Sequence, residues 1–579
     1  MLFIEAVRRA VLPLAAALVA IAFAGCEPGP ADLVLRNGRV VTVDSSRPEA
    51  EAVAVAGDRI VAVGSDAEIA RYIGSNTEVI DLGGKLAIPG FIEGHGHYMS
   101  LGRAQMVLDL TAVSNWDEIV SMVAQAAAAA APGEWILGRG WHQEKWDSEP
   151  RPSVEGLPLH GELSHVSPDN PVYLTHASGH ASFANAKAME LAGIAAQTPN
   201  PPGGQIVHDA RGDPTGALRE KAQGLVSDLI AEADASRSLE ERDRYNREVV
   251  RLAGQEALSK GVTSFHDAGA SFETIDLFRQ LADEGDLPVR LYVMVRYQTN
   301  EEMAERLPRY RMVDYGSGFL TVRSIKRQID GALGAHGAWL LDPYEDLPSS
   351  YGLVLEPVED ITRTAEIAIE HGFQVSTHAI GDRANREVLE IYQAVFEAHP
   401  EETDLRWRIE HAQHLHPDDV SRFGLLGVIA AMQGIHCTSD APWVFKRLGA
   451  QRAADGAYLW QHLMRSGAIV TNGTDTPVED IDPIAGFYAS VSRRMSDGEV
   501  FFPEQRMSRQ EALESYTINN AYAAFEEDTK GSLTPGKLAD IVVLSRDIMT
   551  VPEDEIPSAI VLYTIVGGRL AYSNPLAGN

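Results

Sequence analysis

Two histidines that are separated by one residue follow an apolar run of the chain. The run LAIPGFIEG leads directly into His95, Gly96 and His97. If this run is a β-strand, side chains two positions apart point to the same face, and both imidazoles then enter one pocket. Imidazole is a ligand for zinc and related cations. A His-X-His pair by itself is equally typical of a structural or surface pair, so the assignment depends on further ligands.

Other apolar runs also end in groups that bind metals. FQVSTHAIGD contains His378, WRIEHAQHLH contains His411, and AIVTNGTDTPVED contains Asp475 just before a Thr-Pro turn. Each of these side chains alone is typical of an ordinary polar group with its hydrogen bonds satisfied. Four histidines and one carboxylate at the ends of converging strands instead predict a divalent metal site, with zinc as the expected metal. The pattern leaves open whether one ion or two are bound.

The elements that must position these residues form a repeating series. Strand-like runs, among them VTSFHDA, LYVMVR and SIKRQIDGA, alternate with segments of helical periodicity such as ANREVLEIYQAVFEAH. This alternation is typical of parallel βαβ units and predicts an α/β fold, a (β/α)8 TIM-type barrel. Polar groups stand at the strand ends, where the catalytic face of such a barrel lies. The barrel is predicted over residues 89–530, with an inserted α+β region at about residues 100–240.

Both ends of the chain read as short strands. DLVLRNGRVVTVD and EAVAVAGDRIVAVG near the start, and GKLADIVVLSRD and AIVLYTIVGGRLAYSN near the end, combine β-branched residues with Gly and Asn-Gly turn signals. We therefore expect residues 32–88 and 531–579 to form one small β-sandwich domain.

Composition excludes some classes of protein. The 579 residues are 45% hydrophobic and 23% charged, which is typical of a globular chain with a sizeable core. The 49 basic against 82 acidic residues give a net charge of -33, which repels phosphate backbones and argues against a nucleic-acid partner. A small-molecule substrate is the expected partner. The sequence does not indicate the oligomeric state. The β-domain and the insertion offer surfaces for a homo-oligomer.

The first 26 residues resemble an export signal. Arg8 and Arg9 precede an apolar run from Ala10 to Ala24, too short for a bilayer span of about 20 residues. The string FAGC then resembles a bacterial lipobox, which predicts acylation of Cys26 and a lipoprotein on the periplasmic side of a membrane, with the outer membrane favoured. The alternative is an ordinary signal peptide cleaved near Gly25. With only two cysteines, a disulfide framework is excluded.

The motifs as a set resemble a known superfamily. PGFIEGHGH, THAIGD, RIEHAQ, GTDTPV and GSLTPGKLADIVVL are similar to the amidohydrolase superfamily. More narrowly they resemble its family 3, which includes enzymes like N-substituted formamide deformylase. The resemblance extends from Asp32 to Tyr572. It implies hydrolysis of a C–N bond, of the amide type found in N-acyl or N-formyl amines, by a metal-activated water.

The resemblance also implies roles for individual residues. The expected metal ligands are His95, His97, Lys326, His378, His411 and Asp475. Lys326 is expected to be carboxylated and to bridge two metals; the alternative is an ammonium ion paired with Asp330 beside a single metal. Asp475 and His378 are assigned catalytic roles, and Trp141, His180 and Asp330 are assigned to the substrate pocket. The sequence departs from the family pattern at Glu93, Thr474 and Ser178.

Two alternative functions are also compatible with the sequence. Related superfamily members deaminate rings or open cyclic amides and lactones, and released ammonia or carboxylate would separate these reactions. The other rival is an anchored metal- or solute-binding lipoprotein. Structural zinc sites are usually closed and rich in cysteine, whereas the predicted ligand set contains none, which favours an enzyme.

Overall fold

A computed structural model describes residues 29–577 of the chain. The predicted signal peptide and Cys26 lie outside these residues. Within the described range, none of the helices is both long enough and apolar enough to cross a lipid bilayer.

Eight parallel strands form the centre of the fold, and each pairs with the next along the chain. We number them β1 (Phe91–Gly96), β2 (Val262–Ala270), β3 (Arg290–Val295), β4 (Leu320–Gln328), β5 (Gln374–Ala379), β6 (Arg408–His411), β7 (Ile429–Gln433) and β8 (Val470–Gly473). The first and last strands approach each other beyond their ends, where the Asp475 amide donates to the His95 carbonyl at 2.8 Å and the His97 amide donates to Thr476 at 2.8 Å. The predicted TIM-type barrel is therefore confirmed. The short strand Met312–Asp314 pairs with β4 outside this path.

Helices cover the outside of the barrel. In Asp382–Ala398, the buried residues Val388, Leu389, Tyr392 and Val395 recur every three or four positions, so one face of the helix packs into the core. The helices outside the insertion are Asp66–Ile69, Tyr98–Ala104, Leu239–Ser259, Phe272–Glu284, Asn300–Arg306, Tyr315–Gly318, Val358–His371, Asp382–Ala398, Pro417–Leu426, Gly434–Gly456, Trp460–Arg465, Pro483–Ser492, Arg509–Ser515 and Ile518–Ala523.

The two chain ends meet in a pair of sheets that share a hydrophobic core. The antiparallel pairing of Ile541–Leu544 with Leu86–Pro89 joins the end of the chain to its beginning. The first sheet has the order Arg59–Gly64, Ala52–Ala56, Leu33–Arg36, Glu78–Asp81, and the second the order Arg569–Ser573, Val561–Val566, Ile541–Leu544, Leu86–Pro89, Arg39–Val41, Glu49–Ala50. A buried ion pair between Arg290 of β3 and Asp540, at 2.8 Å, fixes these sheets to the barrel.

A second α+β unit is inserted after β1. Its sheet has the order Gly204–His208, Pro214–Glu220, Ala181–Ala184, Val172–His176, Ile136–Trp141, Leu108–Asp109, and the pair Ser153–Val154 and Leu157–Pro158 lies apart from it. Its helices are Trp116–Ala129, Gly161–Val166, Ala186–Leu191 and Gly224–Ala235. The unit matters for function because its strand ends bring side chains over the mouth of the barrel.

Candidate metal centre

The His-X-His pair and Asp475 meet where β1 and β8 end. The Nε2 atoms of His95 and His97 lie 3.5 and 3.2 Å from the same oxygen, Oδ1 of Asp475. These three donor atoms are close enough to one another to share one cation. His95 and Asp475 are buried, so a cation held here would be largely removed from bulk water.

A second group of donors lies beside the first and shares Asp475 with it. It consists of His411 at the end of β6, His436 and Asp475, all buried and with ligand atoms within 4.8 Å of one another. His436 was not predicted from the sequence. It lies in the first turn of helix Gly434–Gly456, and its only sequence signal was a histidine three residues beyond the end of an apolar strand.

Lys326 on β4 faces the first group. Its Nζ lies 3.3 Å from His95 Nε2, and burial lowers the pKa of Lys326 to about 7. Among residues 29–577, Lys326 forms no ion pair with Asp330, whose carboxylate accepts instead from the backbone amides of Trp339, Ile380 and Gly381 at 2.8–3.0 Å. Asp330 therefore orders the loops beyond β4 and β5.

His378 on β5 completes the ring of predicted ligands. Its ring centroid lies 4.4 Å from that of His411, which in turn lies 4.7 Å from that of His95. Its Nε2 atom is buried, makes no hydrogen bond within residues 29–577, and lies 3.5 Å from Asp330 Oδ1. A buried nitrogen lone pair without a donor is what a metal or substrate would use. The structure thus brings all six predicted ligands into one cluster.

Two histidines of the cluster are held by partners that sequence reasoning did not assign. His95 Nδ1 contacts the Glu410 carboxylate, and His411 Nδ1 lies 2.7 Å from Oε1, the side-chain amide oxygen of Gln433. With Nδ1 donating to these acceptors, the Nε2 lone pair of each ring faces the cluster, which is the arrangement that metal-binding histidines require. This tautomer is the strongest local indication that the residues fit a metal.

Glu410 is itself fixed by Arg408, two residues earlier on β6. The guanidinium donates to both carboxylate oxygens at 2.7 and 2.9 Å, and both side chains are fully buried. Burial alone would raise the pKa of Glu410, but Arg408 and His95 lower it below its usual value. Glu410 therefore stays ionised and holds the His95 ring in place.

We expect Gln433→Leu to weaken metal binding by about 10- to 100-fold, as is typical when a partner of a ligating histidine is lost. Leucine removes the acceptor that fixes the His411 tautomer without leaving a buried charge unpaired. Metal affinity is measured by competition with a chromogenic chelator. Gln433→Glu keeps an acceptor oxygen at this position and is expected to retain most of the affinity; equal affinities in wild type and Gln433→Leu would contradict the positioning role.

The backbone at two ligand positions adopts an uncommon conformation. His411 has a φ of 74° and Asp475 a φ of 56°, both in the left-handed region that non-glycine residues seldom adopt. Such strain is concentrated at functional sites. It also breaks the alternation of side chains at the end of β6, so that Glu410 and the adjacent His411 both reach the cluster.

Two of the three positions at which the sequence departs from the family pattern, Glu93 and Thr474, contact each other. Glu93 on β1 accepts from the amide of Thr474 at 2.6 Å and from its hydroxyl at 2.9 Å. Burial raises the pKa of Glu93 to about 8. Glu93 and Thr474 thus form one hydrogen-bonded pair, which joins β1 to the residue that follows β8 beneath the metal cluster.

The insertion contributes two of the three predicted pocket residues, His180 and Trp141. His180 Nδ1 lies 2.9 Å from the Glu220 carboxylate, and the His180 ring centroid is 5.6 Å from that of His378. Trp141 is buried and donates its indole N–H to the Leu174 carbonyl at 3.0 Å, with its ring against His176. His180 therefore faces the cluster, whereas Trp141 forms part of the cavity wall.

The cavity above the cluster has two lobes that share Ser178, His180, His378, His411, Asp475 and Val478. The aromatic lobe lies over β6 and β7 and is lined by Trp141, His142, His176, Leu333, Trp443 and three cations, Arg219, Arg447 and Lys145. The arginine lobe lies over β1, β3 and β4 and is lined by Arg139, Lys221, Arg296, Tyr297, Gln328 and Glu356. A substrate bound at the cluster can thus extend in two directions.

Comparison with known proteins agrees with this geometry. The sequence model described as "Amidohydrolase family" matches residues 78–572. Protein LONG AFTER FAR-RED 3 of Arabidopsis thaliana is 36% identical over 94% of this chain and 92% of its own length, and N-substituted formamide deformylase of Arthrobacter pascens is 28% identical over 93% and 98%. A solved structure of an uncharacterized metal-dependent hydrolase from Pyrococcus horikoshii OT3 superimposes with a TM-score of 0.70, at 26% identity over 90% of this chain and 99% of that one.

Proposed function

This chain belongs to the amidohydrolase family, and from that premise we propose that it hydrolyses the amide bond of an N-acyl or N-formyl amine. At the family level it is a metal-dependent hydrolase that acts on carbon–nitrogen bonds. The relative from Arthrobacter pascens bears the name N-substituted formamide deformylase, which supports an acyclic amide as the substrate. The convergence of His95, His97 and Asp475 on a shared point carries the proposal.

The residues present fit zinc as the metal. The donors are imidazole nitrogens and carboxylate oxygen, which zinc accepts, and no cysteine is among them. Two groups of donors sharing Asp475 are compatible with two ions, and His436 belongs to the second group. The ligands expected from the family are His95, His97, Lys326, His378, His411 and Asp475. A bound zinc ion acidifies water and polarises a carbonyl group.

The side chains then move protons and orient the amide. Asp475 lies in both donor groups, so its carboxylate is placed to accept a proton from the attacking water and return it to the leaving nitrogen. The His180 ring, whose centroid lies 5.6 Å from that of His378, faces the same space and would stabilise the carbonyl oxygen as it becomes an oxyanion. His378 Nε2 would assist as a ligand of the metal rather than as a hydrogen-bond donor. Glu220 keeps His180 oriented for this role.

The two lobes favour amide cleavage over deamination. An amide carries one substituent on its carbonyl carbon and another on its nitrogen, and cleavage between them requires space on both sides of the cluster. Release of ammonia from a ring requires space mainly on one side. The shared residues His378, His411 and Asp475 lie between the lobes, where the scissile bond of a two-sided substrate would be.

We expect zinc-loaded protein to release an amine from members of a panel of N-formyl and N-acyl amines. Amine release is followed with a fluorogenic amine reagent, and metal content by inductively coupled plasma mass spectrometry. Chelation should abolish turnover and zinc should restore it. Ammonia released from heterocyclic amines, with every acyclic amide left intact, would instead establish the deaminase alternative.

We further propose that the protein is exported and anchored through Cys26, on the strength of the signal sequence and the lipobox-like FAGC. The expected result is incorporation of labelled palmitate into the wild-type precursor and none into Cys26→Ser. Equal labelling of both would contradict acylation at this cysteine, and secretion without any label would favour the ordinary signal peptide.

A further inference from the structure

The two lobes of the cavity differ in how their cations are neutralised. In the aromatic lobe every cation has a carboxylate partner: Arg219 pairs with Glu155 at 2.6 Å, Lys145 with Glu479 at 3.5 Å, and Arg447 with Asp346 and Glu144. In the arginine lobe neither Arg139 nor Arg296 forms an ion pair with any carboxylate of residues 29–577. Two unpaired guanidinium groups at one cavity are unusual in a chain with a net charge of -33.

The partners of these arginines are neutral and few. Arg139 donates from Nε to the Pro477 carbonyl at 3.3 Å and from Nη2 to the Ala177 carbonyl at 3.0 Å. Arg296 donates to the Ala268 carbonyl at 3.2 Å and to the Gln328 side chain at 2.5 Å. A guanidinium has more N–H groups than these contacts use, so donors remain for a ligand.

Three carboxylates line the arginine lobe, and each has its nearest charged or titratable partner in a residue other than the lobe's lysine and arginines; Asp475 contacts His95 and His97. Glu220 bonds to His180, and Glu356 lies 3.7 Å from Arg327 outside the lobe. Lys221 adds a further cation, and among residues 29–577 its ammonium donates to the Leu355 carbonyl, at 2.6 Å, and to no carboxylate. The lobe therefore holds two guanidinium groups and an ammonium without a carboxylate at contact distance, although the charges of Glu356 and Asp475 are near enough to act on them.

We propose that the arginine lobe binds a carboxylate group carried by the substrate, so that the enzyme acts on acidic amides. The inference rests on the proposed amide hydrolysis and specifies its substrate class. The planar guanidinium matches the two oxygens of a carboxylate and pairs with them through parallel hydrogen bonds. The carboxylate would be on the substituent directed toward β3 and β4, and the other substituent would contact the aromatic wall formed by Trp443 and His142, whose rings are 4.7 Å apart.

Matched pairs of amides test this proposal. In the first pair, N-benzoylglycine is compared with N-propylbenzamide, which places the carboxylate on the amine half. In the second, N-benzylsuccinamic acid is compared with N-benzylbutanamide, which places it on the acyl half. We expect kcat/KM to be at least about tenfold higher for the acidic member of one pair, the order expected for a charge-assisted hydrogen bond. Equal values within both pairs would overturn the proposal.

Variants of the lining arginines test whether the arginine lobe causes the preference for the acidic amide. Arg296→Met and Arg139→Met should each remove most of the preference for the acidic amide and leave kcat/KM for the neutral amide much less affected, and Arg296→Lys should keep part of it. Arg219→Met removes a cation from the aromatic lobe and should leave the ratio of the two kcat/KM values unchanged. Both Met variants should have the wild-type circular dichroism spectrum. If neither of them changes the ratio of kcat/KM for the acidic and the neutral amide, these arginines have only a structural role and the proposal is overturned.

Failure of the proposed hydrolysis is distinguishable from failure of this inference. If no amide of either pair and no member of the N-formyl and N-acyl panel is cleaved, the proposed function fails, and the four compounds are then titrated calorimetrically into the wild-type protein. Tighter binding of the acidic members, lost in Arg296→Met, would still support a carboxylate site. Absence of any difference in binding would overturn it.

Discussion

Asp475→Asn is expected to lower kcat by about 10²- to 10⁴-fold, the range typical of a lost general acid or base. The carboxylate is shared by both donor groups, and its Oδ1 is the atom on which His95 and His97 converge. Asparagine has nearly the same shape but cannot accept the proton of the attacking water at neutral pH. Turnover of the best amide of the panel is measured together with metal content, because the same change removes a ligand charge.

A matched control separates catalysis from charge and folding. Asp480→Asn makes the same change of side chain five residues further along the same segment, where the exposed carboxylate pairs with Lys260 at 2.6 Å and lines neither lobe of the cavity. We expect it to change kcat by less than about threefold, since an exposed ion pair contributes about 1 kcal/mol or less. If Asp475→Asn retained its metal and near wild-type turnover, another group would have to be the proton carrier.

The barrel could be predicted from the sequence because its signals are local. Parallel strands buried on both faces read as short apolar runs, and the intervening helices carry their own periodicity. The strands at both ends of the chain could likewise be predicted, from their β-branched residues and turn signals. The pairing of Ile541–Leu544 with Leu86–Pro89 is a contact between distant parts of the chain, and it could be expected only because neither set of strands could bury its apolar face alone.

The site was predictable only in part, for a physical reason. Residues at strand ends converge in any such barrel, so His95, His378, His411 and Asp475 could be grouped from their positions. The partners that orient them could not be grouped in this way. Glu410 and His411 are adjacent, and both reach the cluster only because His411 adopts a left-handed backbone, which no alternation pattern indicates. His436 and Glu220 come from a helix and from the insertion, whose placement depends on tertiary packing.

Lys326→Met is expected to lower both zinc content and kcat/KM by at least about 100-fold. Loss of an outer partner of a ligand already costs about 10- to 100-fold, and a direct ligand contributes more. The geometry disfavours the ammonium form of Lys326 once a metal is bound. Its Nζ lies 3.3 Å from His95 Nε2, the atom that would hold the metal, so two cations would compete for one lone pair. The carbamate that we propose on Nζ would replace this repulsion with attraction.

Two observations distinguish the carbamate from an amine. Intact mass spectrometry under native conditions should show one added carbon dioxide in the wild type and none in Lys326→Met, and apo-protein prepared without bicarbonate should regain activity faster when bicarbonate accompanies the zinc.

Lys326→Arg keeps a positive charge but does not form a stable carbamate, so it should be as defective as Lys326→Met. Lys260→Met, which removes a lysine that pairs with Asp480 away from the site, should remain active. An active Lys326→Arg with full zinc content would mean that this position contributes only a cation, and the metal would then have to be held by the histidines and Asp475 alone.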